Sequence, residues 1–273
     1  MDKGIYTALS GGIAKSHELE LIANNLANAN TPGFKRDTGT FNEYLTDLRR
    51  QDTVEGEKRN IRADSLMDGR PTNDKSFVEM DGVYTDFRQG TLERTGRNLD
   101  IALEGKGFFE VWTPSGVRYT RQGSFTVNPQ GRLVTVNGYP LLSRDDTPPG
   151  GQAPPPESRF IQMTTAPIIV TPKGEVQQDG AQVAEISVKE FQQPQWLEKV
   201  GNSYFRNTNP DNLKPGLSDT KLHQGFLEGS NVNAVTEMTR LIEATRAYES
   251  HMQAIKTYQE LDGRTVNDIA RGR

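Results

Sequence analysis

Cysteine is absent from the 273-residue chain, tryptophan occurs twice and histidine three times. Without a thiol there is no disulfide, no thiolate metal site and no thiol nucleophile. His17, His223 and His251 lie far apart and form no HExxH-type pair, so no metal site and no cofactor are expected from them. His17 and His251 read as solvated residues or as flanks of a helix seam. Long hydrophobic runs are missing too: stretches such as Ala166 to Val170 fall far short of the ~18 apolar residues of a membrane span. An excess of one charge is also lacking, since 32 Lys+Arg face 36 Asp+Glu for a net −4. No long-range field therefore draws in nucleic acid or an anionic membrane. The opening Met-Asp-Lys-Gly-Ile-Tyr-Thr-Ala-Leu-Ser-Gly-Gly lacks the apolar core of a cleavable secretory signal, and a soluble chain without a cleaved signal is expected. Apolar residues make up 33%, and 26 glycines bring the share to about 43%, slightly under the ~45–50% of average domains. One deep core for the whole chain is not expected.

Apolar side chains are concentrated at the two ends in helical spacing. Ile5, Leu9, Ile13, Leu19, Ile22 and Leu26 recur at three and four residues, with alanines beside them, and predict an amphipathic helix. Asp2 is placed to cap it, and Thr31-Pro32-Gly33 to end it. At the other end Val232, Val235, Met238, Leu241, Ile242, Thr245, Tyr248, Met252, Ile255, Tyr258 and Leu261 approximate a heptad seam. Ser230 or Asn231 is the expected N-cap, and Glu237 falls where a carboxylate suits the helix dipole.

From Phe77 to Phe205 the chain breaks into short Val-, Ile-, Phe-, Tyr- and Thr-rich runs divided by Gly, Pro, Asn and Asp, a β pattern. Arg132–Val136, Asn137-Gly138 and Tyr139–Leu142 predict a hairpin with a type I′ turn. Ser124 to Val127 followed by Asn128-Pro129-Gln130-Gly131 predicts another strand and turn. Gly105-Lys106-Gly107 lacks the GxxxxGK[ST] pattern of a phosphate loop and reads as a turn between strands. Arg49 to Asp74 and the proline-rich Asp145 to Glu157 read as linkers or surface insertions. The expected fold is α+β. Residues 1–35 with 231–273 form a coiled-coil-like helical domain, 36–76 and 206–230 connect, and 77–205 form an antiparallel barrel- or sandwich-like β domain.

Two function classes follow from this layout. Asp81, Asp86, Glu93, Asp100 and Glu104 crowd the early β region, and a glycan hydrolase needs only two suitably spaced carboxylates. Strand ends and turns commonly carry such charges in water, so no shared cleft and no catalytic residue are expected. Amphipathic ends flanking a β domain suggest instead an assembly subunit, although terminal helices packed on the chain's own β domain would explain the periodicity equally well. A helix of about 30 residues is marginal unless its apolar stripe is covered. The expected seam residues are Ile5, Leu9, Ile22 and Leu26 with Met238, Leu241, Ile242, Tyr248, Met252 and Ile255.

Several ordered motifs carry a resemblance. Ile22-Ala-Asn-Asn-Leu-Ala-Asn28 precedes Thr31-Pro-Gly-Phe-Lys-Arg36, and Gly90-Thr-Leu-Glu-Arg-Thr-Gly96 precedes Leu99-Asp-Ile-Ala-Leu103 and Gly105-Lys-Gly-Phe-Phe109. Tyr119-Thr-Arg-Gln-Gly-Ser-Phe125, Gly131–Thr135 and Gly138–Leu142 follow, then Gly225-Phe-Leu-Glu-Gly-Ser-Asn-Val232 and Glu237–Glu249. This set resembles the flagellar basal-body rod and hook family, and the opening residues with the Arg264 ending resemble its proximal-rod branch more than its distal-rod branch. The resemblance implies a non-enzymatic subunit that polymerises in the periplasm into the torque-carrying rod. Its implied partners are other rod subunits, further copies of itself and the type III export gate, with no nucleic acid and no small-molecule substrate. Phe41-Asn-Glu-Tyr-Leu45 resembles the family's export signal, with Phe41 and Leu45 at the matching positions, four apart as on one helical face.

Overall fold

The computed structural model describes residues 2–46, 75–145, 154–164, 167–216 and 218–271. They divide into a helical unit (Met1–Asn24, Thr38–Tyr84 and Val235–Arg273) and a β unit (Asn25–Asp37 and Thr85–Ala234). The molecule is α+β, with a helix near each end and a mainly antiparallel β region between them.

In the helical unit, α1 (Asp2–Ala27) and α2 (Ala234–Arg271) carry the three-and-four spacing seen in the sequence. They run antiparallel, since Gly4 lies under the Tyr258 ring and, seven residues on, Gly11 lies under His251. A Cβ at either glycine would come within 2.7 Å of the facing ring. Only a hydrogen at these positions permits the approach. Along α1 the positions that follow this contact, Gly4, Ala8, Gly11, Lys15, Glu18 and Ile22, are all at least partly covered. Lys15 and Glu18 pair at 2.7 Å within the row.

The cap residues differ from expectation. Asp2 is the first residue of α1 rather than its cap, and α2 begins at Ala234, which puts Asn233 at the N-cap position. Ser230 instead accepts the Val232 amide at 3.2 Å, a local turn, while Asn231 is engaged in the β unit. In the folded chain Phe41 and Leu45 lie in β1 (Asp37–Thr46), which pairs with β2 (Lys75–Thr85), so they share no helical face there. Thr38, Thr40, Phe41 and Tyr44 favour a strand, and tertiary pairing overrides the i, i+4 pattern. Val78 N donates to Ser10 Oγ at 3.3 Å, which ties β2 to α1. Arg49 to Asp74 lies outside the described residues, as does most of Asp145 to Glu157.

In the β unit the strands are β3 (Leu92–Arg94), β4 (Ile101–Glu104), β5 (Phe108–Thr113), β6 (Gly116–Thr120), β7 (Phe125–Val127) and β8 (Leu133–Thr135). They continue with β9 (Ile168–Val170), β10 (Glu175–Gln178), β11 (Ala181–Glu185), β12 (Val188–Lys189), β13 (Leu197–Lys199), β14 (Tyr204–Asn207), β15 (Lys221–Gln224) and β16 (Phe226–Glu228). The largest sheet has the order β12-β5-β6-β14-β13 and is open at both edges, so the barrel expectation is not met among the described residues.

Two hydrophobic clusters fill the unit. Ile101, Leu103, Phe109, Val111, Leu133 and Leu141 belong to the larger, and Phe108, Tyr119, Phe191, Leu197 and Phe205 to the smaller. Adjacent residues Phe108 and Phe109 enter different clusters, as the period-two alternation of β5 requires. The hairpin at Asn137-Gly138 forms with a different turn. Gly138 N donates to Thr135 O at 2.9 Å, and of the two only Gly138 takes a positive φ, 82°. That is a three-residue loop closed by a left-handed glycine rather than the two-residue I′ turn. Two positive-φ residues occur instead at Asp179-Gly180, between β10 and β11.

Candidate functional site

The sequence-expected seam is only partly covered. In α1, Ile22 is buried and Ile5 and Leu26 are half-buried, but Leu9 is 44% exposed. In α2, Ile255 is buried and Leu241 and Tyr248 are half-buried, while Met238, Ile242 and Met252 are exposed. Tyr6 and Ile13 on α1 and Val235, Tyr258 and Leu261 on α2 are exposed as well. An apolar stripe wider than one helix can cover leaves this remainder. α1 meets α2 through its small residues and presents several of its large ones to solvent.

A second arrangement, inside the β unit, was not foreseen. Glu228, at the end of β16, is fully buried and receives three donors on its carboxylate. Lys35 Nζ stands 2.6 Å from Oε1, Gly90 N 3.0 Å from Oε1, and Arg121 Nη1 3.2 Å from Oε2. Lys35 Nζ also donates to Arg88 O at 2.7 Å and Arg121 Nη2 to Gly105 O at 2.7 Å, with the guanidinium stacked 4.8 Å over the Phe108 ring. Burial pulls the Lys35 ammonium and the Arg121 guanidinium below their ordinary pKa values, and the Glu228 charge opposes both shifts.

The surrounding backbone is held to the same place. Gly33 N donates to Glu228 O at 2.7 Å, and Arg36 N to Asn231 Oδ1 at 2.8 Å. Asn231 Nδ2 donates to Asp86 O at 2.7 Å. Asn25 and Asp37 exchange two hydrogen bonds, and Lys199 binds Asp37 at 2.7 Å while its Nζ sits 3.8 Å over the Phe34 ring. Segments 25–37, 86–91 and 228–231 thus converge on one buried carboxylate.

The carboxylates of the hydrolase alternative are engaged separately. Asp86 is held below the usual carboxylate range by the Arg88 hydrogen bond, and buried Asp100 accepts from Thr95 and Arg97 at 2.6 and 2.8 Å. Glu104 pairs with His223 at 2.6 Å, which lowers its pKa. Glu93 on β3 is exposed, and Asp81 is an exposed residue of β2 in the helical unit.

Three family models match the chain in order: the flagella basal body rod protein model over residues 5–35, the flagellar hook protein FlgE/F/G D1 domain over 102–188, and the flagellar basal body rod FlgEFG protein C-terminal model over 223–269. The flagellar basal-body rod protein FlgF of Caulobacter vibrioides is 36% identical over 271 residues, 99% of each chain. The chain belongs to the flagellar basal-body rod protein family. FlgF of Rhizobium meliloti is 33% identical over 92% of this chain and 90% of its own, and FlgG of Buchnera aphidicola (Schizaphis graminum) is 30% identical over 96% and 97%. The buried charges draw one residue from each matched segment: Lys35 from the first, Arg121 from the second and Glu228 from the third. The motifs that carry the resemblance contain these residues, but no local pattern marks them as mutual partners.

Proposed function

We propose that this chain is a structural subunit of the flagellar rod, acts without catalysing a reaction, and occupies the proximal part of the shaft that carries torque from motor to hook. The observation that carries the reading is end-to-end similarity to rod proteins, among them a FlgF at 36% identity over 99% of each chain. The exposed apolar residues of α1 and α2 support polymerisation: Leu9, Ile13, Met238, Ile242 and Met252 are covered when helices of neighbouring subunits pack on them in coiled-coil fashion. The partners are other rod subunits and further copies of the chain, and the site is the periplasmic rod, reached through the type III export gate without a cleaved signal. A distal-rod place is the second reading, favoured by the 30% identity to FlgG over nearly the whole chain.

The test is localisation. A tagged chain replacing the native one is expected in purified basal bodies between the inner-membrane ring and the hook. Its absence from basal bodies that are otherwise complete would refute the reading. The export role of Phe41 and Leu45 belongs to the unfolded chain, before β1 forms. Changing both to Ala is expected to trap the protein in the cytosol with an unchanged melting temperature, and normal secretion would remove that assignment.

A further inference from the structure

We propose that Glu228 is a two-key latch: the N-terminal segment 33–36 and the C-terminal segment 228–231 dock on the rest of the β unit together or not at all. Lys35 and Arg121 both point at this carboxylate, with side chains 0% and 2% exposed. Without Glu228 in place the site would hold two buried cations and no anion within hydrogen-bonding reach, so the arrival of Lys35 is opposed until the C-terminal segment has docked. The reverse also holds. Glu228 entering without Lys35 would lose the 2.6 Å ion pair and, with it, the anchoring of the Arg88 carbonyl. Backbone bonds reinforce the reciprocity, because Gly33 N binds Glu228 O and Arg36 N binds the Asn231 side chain.

Charge counting gives a signature that ordinary packing would not. Lys35 and Arg121 against Glu228 leave one net positive charge, E228Q leaves two, K35M leaves none, and K35M/E228Q returns to one. Asp86 and Glu190 attract the two cations more weakly and are the same in every variant. The disturbance therefore ranks E228Q above K35M/E228Q, although the double variant has lost more groups.

Amide hydrogen exchange on the full-length protein tests this. In E228Q the amides of Gly33, Arg36, Gly90 and Gly229 are expected to exchange about tenfold faster or more, with Leu133 and Leu141 in the core unchanged. K35M, the milder variant, is expected to speed Gly229, whose own bond to Thr91 O involves neither side chain. K35M/E228Q is expected to be slower at all four than E228Q. Three results would overturn the latch: no change at these amides in E228Q, uniform acceleration of core and latch amides together in K35M, or a double variant as fast as E228Q.

Discussion

The two units solve the burial problem in opposite ways. The β unit encloses its own clusters and can even bury charge, because each carboxylate it takes in arrives with donors: Glu110 with Arg159 and Ser187, Glu228 with Lys35 and Arg121. The helical unit spends its tightest contact on glycines and leaves Ile13 and Ile242 more than half exposed. Core packing in the first unit sets the stability of the single chain. Apolar residues left uncovered in the second are available to other helices, so the same kind of substitution should act on folding in one unit and on assembly in the other.

The sharpest break of this contrast is Arg159→Ala. Arg159 binds Glu110 at 2.6 and 3.3 Å, both bonds buried, and also the part-buried Ser143 carbonyl at 2.6 Å. Stranding Glu110 is expected to cost about 3–5 kcal/mol in chemical denaturation. Next comes acid. Burial alone would raise the Glu190 pKa, but hydrogen bonds from Ser218, Lys214 and Thr220 outweigh it and hold the carboxyl at about 2, against 4.5 unperturbed. Because the folded value is depressed, this stabilisation is complete above the unfolded pKa and is lost as pH falls from 4.5 through about 2. The expected size is about 3 kcal/mol, and Glu190→Gln should flatten that part of the stability-versus-pH curve.

A smaller effect is expected at Gly11. Ala is the better helix former by about 1 kcal/mol, yet its Cβ would meet His251, so Gly11→Ala should destabilise by about 1–2 kcal/mol. In a His251→Ala background the same change should stabilise, and thermal melts of the four proteins read the reversal of sign. Least for the isolated chain is Ile13→Ser with Ile242→Ser, within about 0.5 kcal/mol of the parent in denaturation. The same pair is expected to abolish rod formation in cells, and unimpaired rods would erase the distinction drawn between the units.

Periodicity revealed that both ends are helical, because spacings of three and four in Ile22-Leu26 or Leu241-Tyr248 survive any detail of packing. It did not reveal where α1 comes closest to α2. Hydrophobic pattern weighs large side chains, whereas the closest approach uses Gly4 and Gly11, which carry no hydrophobic signal. The Asn137-Gly138 turn was legible as a turn but not in type, since Gly138 alone supplies the left-handed residue. At Phe41 and Leu45 a short apolar pair fits helix and strand equally, and pairing with β2 decides. The latch was invisible for another reason. Lys35, Arg121 and Glu228 are each unremarkable where they stand, and only the folded chain makes them neighbours.

The glycine notches of α1 have a mechanical consequence. Gly4 and Gly11 are one heptad apart, as are Tyr258 and His251 on the opposing helix, so the pair forms a rack whose teeth repeat about every 10.5 Å. Sliding α2 by less than one tooth sets both rings against positions that bear side chains. Sliding it by a full tooth reseats one ring and leaves the other notch empty. A load along the helix axes is thus resisted by discrete steps, and the pair yields by jumps rather than by creep.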